Sequence, residues 1–156
     1  MKIAKKILWF LLVVFVVAQF FGPDKNEGEL TTLNTFLSET QPSDQVKQIL
    51  KESCFDCHSN KTRYPWYFNI TPVNYWIADH IEHGKGELNF SNWADYSTKR
   101  KEHKMEEVWE EVQKKEMPLE SYTWTHGEAN LTDDQIEAVV SWAKSIQNNY
   151  KQQLNK

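Results

Sequence analysis

Cysteine is nearly missing from this chain. Of 156 residues only Cys54 and Cys57 are cysteines, so one internal disulfide is the most it could form. Arginine is scarce too, with Arg63 and Arg100 alone. No stretch of any length alternates apolar with polar residues, and no segment repeats. These absences exclude a sheet-built or repeat architecture and leave helices as the expected element. The first 22 residues lack acids altogether, since all 22 Asp and Glu come later.

That acid-free front carries Lys2, Lys5 and Lys6, then an apolar stretch from Ile7 to Gly22 broken only by Gln19. A basic start followed by an apolar stretch is the pattern of an export segment. Val16-Val17-Ala18-Gln19 is a poor match to a small-x-small cleavage site, so an uncleaved N-terminal membrane helix is expected ahead of a cleaved signal. The stretch is slightly shorter than the usual span of about 17–25 residues, and a buried core helix is the plain alternative. The lysines would stay on the cytoplasmic side. The expected division is an anchor or signal over 1–22, a polar tether over 23–42, and one folded domain over 43–150. Beyond residue 22 there are 15 bases and 22 acids, a formal charge of −7. That argues against a nucleic-acid partner. It suits transient contact with basic proteins, or solubility alone.

The folded part reads as all-α. Ser43 opens a first helix with Val46, Ile49, Leu50, Cys54 and Cys57 on one stripe. An aromatic loop follows through Tyr64, Trp66, Tyr67 and Phe68. Thr71-Pro72 reads as an N-cap and first helical residue, and Gly84 and Gly86 as the stop of that helix. A longer helix is expected from Ser97 to Glu116, with Met105, Val108, Trp109 and Val112 inward. Met117-Pro118 should end it. Glu106, Glu107, Glu110 and Glu111 would be its solvated face, with Lys114 and Lys115 pairing at i, i+4. Thr132-Asp133-Asp134-Gln135 is a capping box for a final helix, with Leu131 and Ile136 as the staple.

The two cysteines stand in Cys54-Phe55-Asp56-Cys57-His58. This C-x-x-C-H run is the attachment signature of c-type haem. Each thiol can add across one vinyl group of a porphyrin, and the histidine can offer a nitrogen to iron. On a helix, positions i, i+3 and i+4 share one face, so all three side chains are expected to address one haem. For the second axial position Met117 is the first choice, because Pro118 restricts its backbone. His80, His126 and an open sixth position are the alternatives. Met105 falls at core spacing, and His103 lies in a charged run. Attachment of this kind takes place outside the bacterial inner membrane, so the domain is expected on the periplasmic face.

The anchor, the C-x-x-C-H run, Tyr64-Pro65-Trp66-Tyr67, Leu88-Asn89-Phe90-Ser91, Trp93, Met117-Pro118 and Tyr122 together resemble a small bacterial haem-binding-domain family. More distantly the chain resembles the monohaem class I cytochromes c. The resemblance spans most of residues 40–147. It implies a cytochrome c-like helical domain around one covalent haem, with electron transfer as the role.

Four functions follow for comparison. The first is a membrane-tethered single-haem electron carrier, not an enzyme, with unidentified redox proteins as partners. The second is a haem enzyme or gas or redox sensor with a displaceable sixth ligand. It would use His80, His83 or His126 as acid–base groups, yet no arginine stands beside them in sequence. The third is a zinc site of Cys54, Cys57, His80 and His83, whose spacing departs from the usual pattern. The fourth is a thioredoxin-like C-x-x-C, which lacks the accompanying βαβ pattern.

Overall fold

The computed structural model describes residues 2–156. Helix α1 spans Lys2–Ala18, α2 Asn34–Thr40, α3 Asp44–Ser53, α4 Phe55–His58, α5 Val73–Glu87, α6 Thr98–Gln113, α7 Glu120–Thr123 and α8 Asp133–Leu154. Short 3₁₀ turns occur at Leu30–Leu33, Trp66–Asn69, Phe90–Asp95 and Gly127–Ala129. No strand occurs among the described residues; one isolated bridge pairs Glu27 with Lys61. The expected all-α class is therefore observed.

The largest helix–helix contact is α6 on α8. It buries Met105 and Val112 of α6 and Val139 and Ala143 of α8. The end of α8 is fixed by Tyr150, whose hydroxyl donates to Glu39 at 2.7 Å and accepts from Trp93 Nε1 at 3.3 Å. The capping box starts α8 as expected: Thr132 Oγ1 accepts from Gln135 N, and Gln135 Oε1 accepts from Thr132 N at 2.8 Å. Ser43 and Ser97 cap α3 and α6 in the same manner, each accepting from the backbone N–H three residues on.

Several local expectations are corrected. The packed unit begins before Ser43. Leu33, Phe36 and Thr40 are buried, and Phe36 has no exposed surface. A seven-residue helix is too short to be stable alone, so its periodicity is weak and its burial is decided by packing. Residues 22–29 are not free chain either. Asn26 donates to the Ser59 carbonyl and to Thr62 Oγ1, both at 2.9 Å, and Gly28 N donates to Asn60 O at 2.7 Å. This polar strap clasps the loop that follows α4. Thr71 does not cap α5; its hydroxyl donates to the Phe21 carbonyl at 3.0 Å instead. Helix α5 runs through both glycines to Glu87. Lys115 adopts φ +60°, which turns it away from α6, so it pairs with Asp133 at 2.9 Å and not with Glu111.

Helix α1 is 17 residues long, about 26 Å at 1.5 Å per residue. Among the described residues no helix is long and apolar enough to cross a membrane, so the expected membrane helix is not found as a span. A core helix is not found either. The side chains from Ile7 to Val17 are 46–68 % exposed, apolar on every side of the helix.

Candidate functional site

The site begins with a break in a helix. Helix α3 ends at Ser53, and Cys54 leaves helical geometry at φ −126° and ψ −45° before α4 starts. The Cys57 and His58 amides both donate to the Cys54 carbonyl, at 3.2 and 2.9 Å. This single turn brings Cys54, Cys57 and His58 to one region by a tighter route than the continuous helix expected.

His58 is oriented from behind. Its Nδ1 lies 2.9 Å from the Leu88 carbonyl. A carbonyl can only accept, so Nδ1 carries the proton and Nε2 keeps its lone pair. Such a bond to the far nitrogen is the usual support of a histidine that ligates iron. The ring also meets Phe90 edge-on at 6.3 Å. Burial pulls the imidazolium down from its ordinary pKa, which favours the neutral ligating form.

Two cavities meet at this histidine. One, of about 410 Å³, is lined by Ser53, Cys57, His58, His80, Gly84 and Met117 among others. The second, of about 320 Å³, has Cys54, His58, Leu88, Phe90, Val108 and Met117 in its wall. Both fall in the range of about 300–1,000 Å³ that holds small cofactors. Each cysteine thus faces one cavity, while His58 and Met117 face both. Ser53 Oγ lies in the first wall and is the one buried side-chain polar atom without a hydrogen-bond partner among the described residues. Glu107 and Glu111 of α6 line the second, so this face of α6 is not simply solvated as expected.

Met117 is placed by the end of α6. After the left-handed turn at Lys115, the Glu116 and Met117 amides both donate back to the Glu111 carbonyl, at 3.0 and 3.2 Å. Of the alternatives, His80 lines the same cavity, with its Nδ1 bonded to the Trp76 carbonyl at 2.8 Å. His126 lines a different groove and stacks on Tyr122 at 4.0 Å. Met105 is fully buried in the core, and His103 is exposed beside Glu107 at 3.1 Å.

Helix α5 approaches α4 closely at Gly84. A Cβ there would stand 3.0 Å from the Cys57 carbonyl oxygen and 3.1 Å from Cys57 Cβ, whereas a Cβ at Gly86 would enter open space. Gly84 is therefore a packing residue that lets α5 form the wall behind Cys57. Gly86→Ala is expected to stabilise the protein by about 0.5–1 kcal/mol through helix propensity. Gly84→Ala should forfeit that gain to overpacking worth about 1–3 kcal/mol. Urea unfolding of the two variants side by side checks this, and equal stabilisation at both sites would show the contact to be loose.

Asp56, between the cysteines, was not marked by sequence reasoning as a site residue. It is buried and accepts from Arg63 N at 2.9 Å, Arg63 Nη2 at 2.9 Å and Tyr122 OH at 2.8 Å. The Tyr122 hydroxyl also reaches the Glu52 carbonyl at 3.2 Å. Burial, then the Asp56 charge, lifts the Tyr122 pKa well above the tyrosine range, so it stays a proton donor. One carboxylate thereby locks α4 to the aromatic loop and to α7. The only sequence signal was the presence of an acid and one of two arginines seven residues apart.

The thiols are held protonated. Enclosure within the site, then the facing cysteine, pushes Cys54 up to about 12. Enclosure, then Asp56, raises Cys57 to about 11. A thioredoxin-like pair has depressed thiol pKa values, the opposite of what is seen here. Among the described residues no group of three His, Cys, Asp or Glu side chains is placed to hold a metal ion, so the Cys54–Cys57–His80–His83 zinc set is not assembled.

Two soft thiols, a neutral imidazole with a free nitrogen, a thioether and an apolar double cavity fit a haem. An all-helical domain carrying this set has the form of a haem-binding protein. A family model described as a haem-binding domain matches residues 13–145, and the chain belongs to that family. No curated protein and no solved structure matches the chain.

Proposed function

We propose that this protein is a single-haem electron carrier in which the haem is covalently attached. The observation that carries the reading is the His58 Nδ1–Leu88 bond, which aims a lone pair away from the backbone beside two part-buried free thiols. Cys54 and Cys57 would each add S–H across one vinyl C=C, forming a thioether with no atom lost. His58 would ligate through Nε2, and Met117 from the loop after α6. When bound, the haem supplies a one-electron couple, and no substrate bond is made or broken. A methionine thioether favours the reduced iron and raises the potential. Phe90, Leu88 and Val108 limit water at the Cys54 side. The −7 charge of the region after residue 22 suits brief encounters with basic redox proteins, and steering of that kind weakens with salt. Helix α1, apolar all round and basic at its start, would lie in lipid with the domain on the periplasmic face of the inner membrane.

The test is a pyridine haemochrome spectrum of protein matured with the cytochrome c attachment machinery, run beside Met117→Ala. The thioether-linked spectrum should survive in the variant. Its ferric sulfur-to-iron band should vanish, and the ferrous form should gain carbon monoxide binding. A native low-spin spectrum in Met117→Ala would remove the methionine as ligand. Absence of thioether-linked haem in the unsubstituted protein would remove the covalent carrier itself.

A further inference from the structure

One end of the domain is unlike the rest of its surface. From Tyr64 to Ala78 the chain runs 15 residues without a charged side chain and includes six aromatic ones. Trp66 is 76 % exposed, and Tyr75 and Trp76 are about half exposed. Trp124, 73 % exposed, joins them from just after α7, because Tyr67 OH donates to Thr125 Oγ1 at 2.7 Å across the two segments. Trp76 and Trp124 stand on the walls of one apolar groove of about 240 Å³. Burying these rings in the core would have been the ordinary outcome, as it is for Trp93.

The same end is fastened to α1. Gln19 Nε2 donates to the Thr71 carbonyl at 3.1 Å, and Thr71 N donates back to Gln19 Oε1 at 2.9 Å. Thr71 Oγ1 donates to Phe21 O at 3.0 Å, and Asn74 Nδ2 donates to Thr71 Oγ1 at 3.0 Å. Phe20 and Phe21, just after α1, are themselves exposed. The exposed helix and the segment bearing the exposed rings are therefore joined at Thr71 by hydrogen bonds to Gln19 and Phe21. Charge is dense elsewhere: α6 carries Glu102, Glu106, Glu107, Glu110 and Glu111 together with Lys99, Arg100, Lys101 and Lys104, and α8 starts with Asp133 and Asp134.

We infer that this aromatic face, presented by Trp66, Trp76 and Trp124, rests on the phospholipid surface of the membrane and holds the domain in one orientation. The proposal rests on the reading that α1 lies in lipid. Tryptophan and tyrosine favour the headgroup region, where an amphipathic ring meets both apolar and polar neighbours. The charge-dense helices α6 and α8 would lose hydration against an apolar boundary, so they turn outward to water. The groove shares Cys57, His80 and Tyr122 with the haem cavity. The Cys57 side of the site consequently faces the lipid.

The test uses the full-length, haem-loaded protein in vesicles of phosphatidylethanolamine and phosphatidylglycerol. A benzoylphenylalanine photo-crosslinker replaces Leu12, Trp66, Trp124 or Glu137, one at a time. Leu12 reports α1, and Glu137 reports α8, which packs on α6 and α3. All four side chains are exposed, so each variant should fold. Lipid adducts are expected at 12, 66 and 124, and several-fold fewer at 137. Adducts at 12 with 66 and 124 no higher than 137 would overturn the docked orientation while leaving the anchor in place. Adducts at none of the four would overturn both. Adducts at 66 and 124 to a second copy of the chain in place of lipid would also overturn it.

Discussion

Phe36→Ala is expected to lower the unfolding free energy by about 3–5 kcal/mol, the range for truncating a fully buried aromatic. The ring has no exposed surface and meets four others: Phe90 at 4.4 Å, Trp93 at 5.1 Å, Trp142 at 6.1 Å and Phe55 at 6.5 Å. These neighbours come from α8, from α4 and from the turn after α5, so a void there loosens several elements together. The large size of the ring and the enclosure on every side leave little room for collapse. Phe55 lies between the two cysteines, so the loss should also reduce the yield of haem-loaded protein. Urea unfolding of the haem-loaded variant measures the effect. A change below about 1 kcal/mol, normal for a surface substitution, would mean that residues 34–40 are a tether after all.

Asp56→Ala is expected to cost about 2–4 kcal/mol. The substitution removes the acceptor for Arg63 N, for the Arg63 guanidinium and for Tyr122 OH. The upper limit for a broken buried pair does not apply, because the Arg63 side chain is 47 % exposed and water can take over its charge. The Tyr122 hydroxyl keeps the Glu52 carbonyl as acceptor, and the Arg63 amide is the donor left hardest to rescue. Tyr122→Phe removes the Asp56 bond together with the longer one to the Glu52 carbonyl, leaves both Arg63 bonds in place, and should cost about 1 kcal/mol. Thermal unfolding of the two variants tests the ranking. Equal losses would place the strength of the cluster in the tyrosine instead of the carboxylate. Because Asp56 stands between Cys54 and Cys57, the proposed attachment predicts less haem-loaded protein at equal expression.

The interplay of motif and fold is clearest in α4. Five consecutive residues made the candidate site legible, since their chemistry needs only adjacency. The break at Cys54 was not legible, because the apolar stripe continued across it from α3. Gly84 read as a helix stop, the common role of glycine after a helical run. Its actual role depends on how near α5 comes to Cys57, a distance no local pattern encodes. Lys115 read as an i, i+4 partner, but one left-handed residue redirected it. The capping box at Thr132 was read correctly, because every atom involved lies within four residues.

Local order along the chain was enough to specify helices, their polar caps, the C-x-x-C-H run and an apolar basic N-terminus, since each depends on neighbours a few residues apart. Folding in three dimensions decided which of these pieces meet. It carried Leu88 behind His58 across 30 residues, returned Met117 to the same cavity, drew Phe36 into the core and left Trp66 and Trp124 outside. Those outcomes depend on competition among distant surfaces for burial and for hydrogen-bond partners, and such competition is settled only when the whole chain packs.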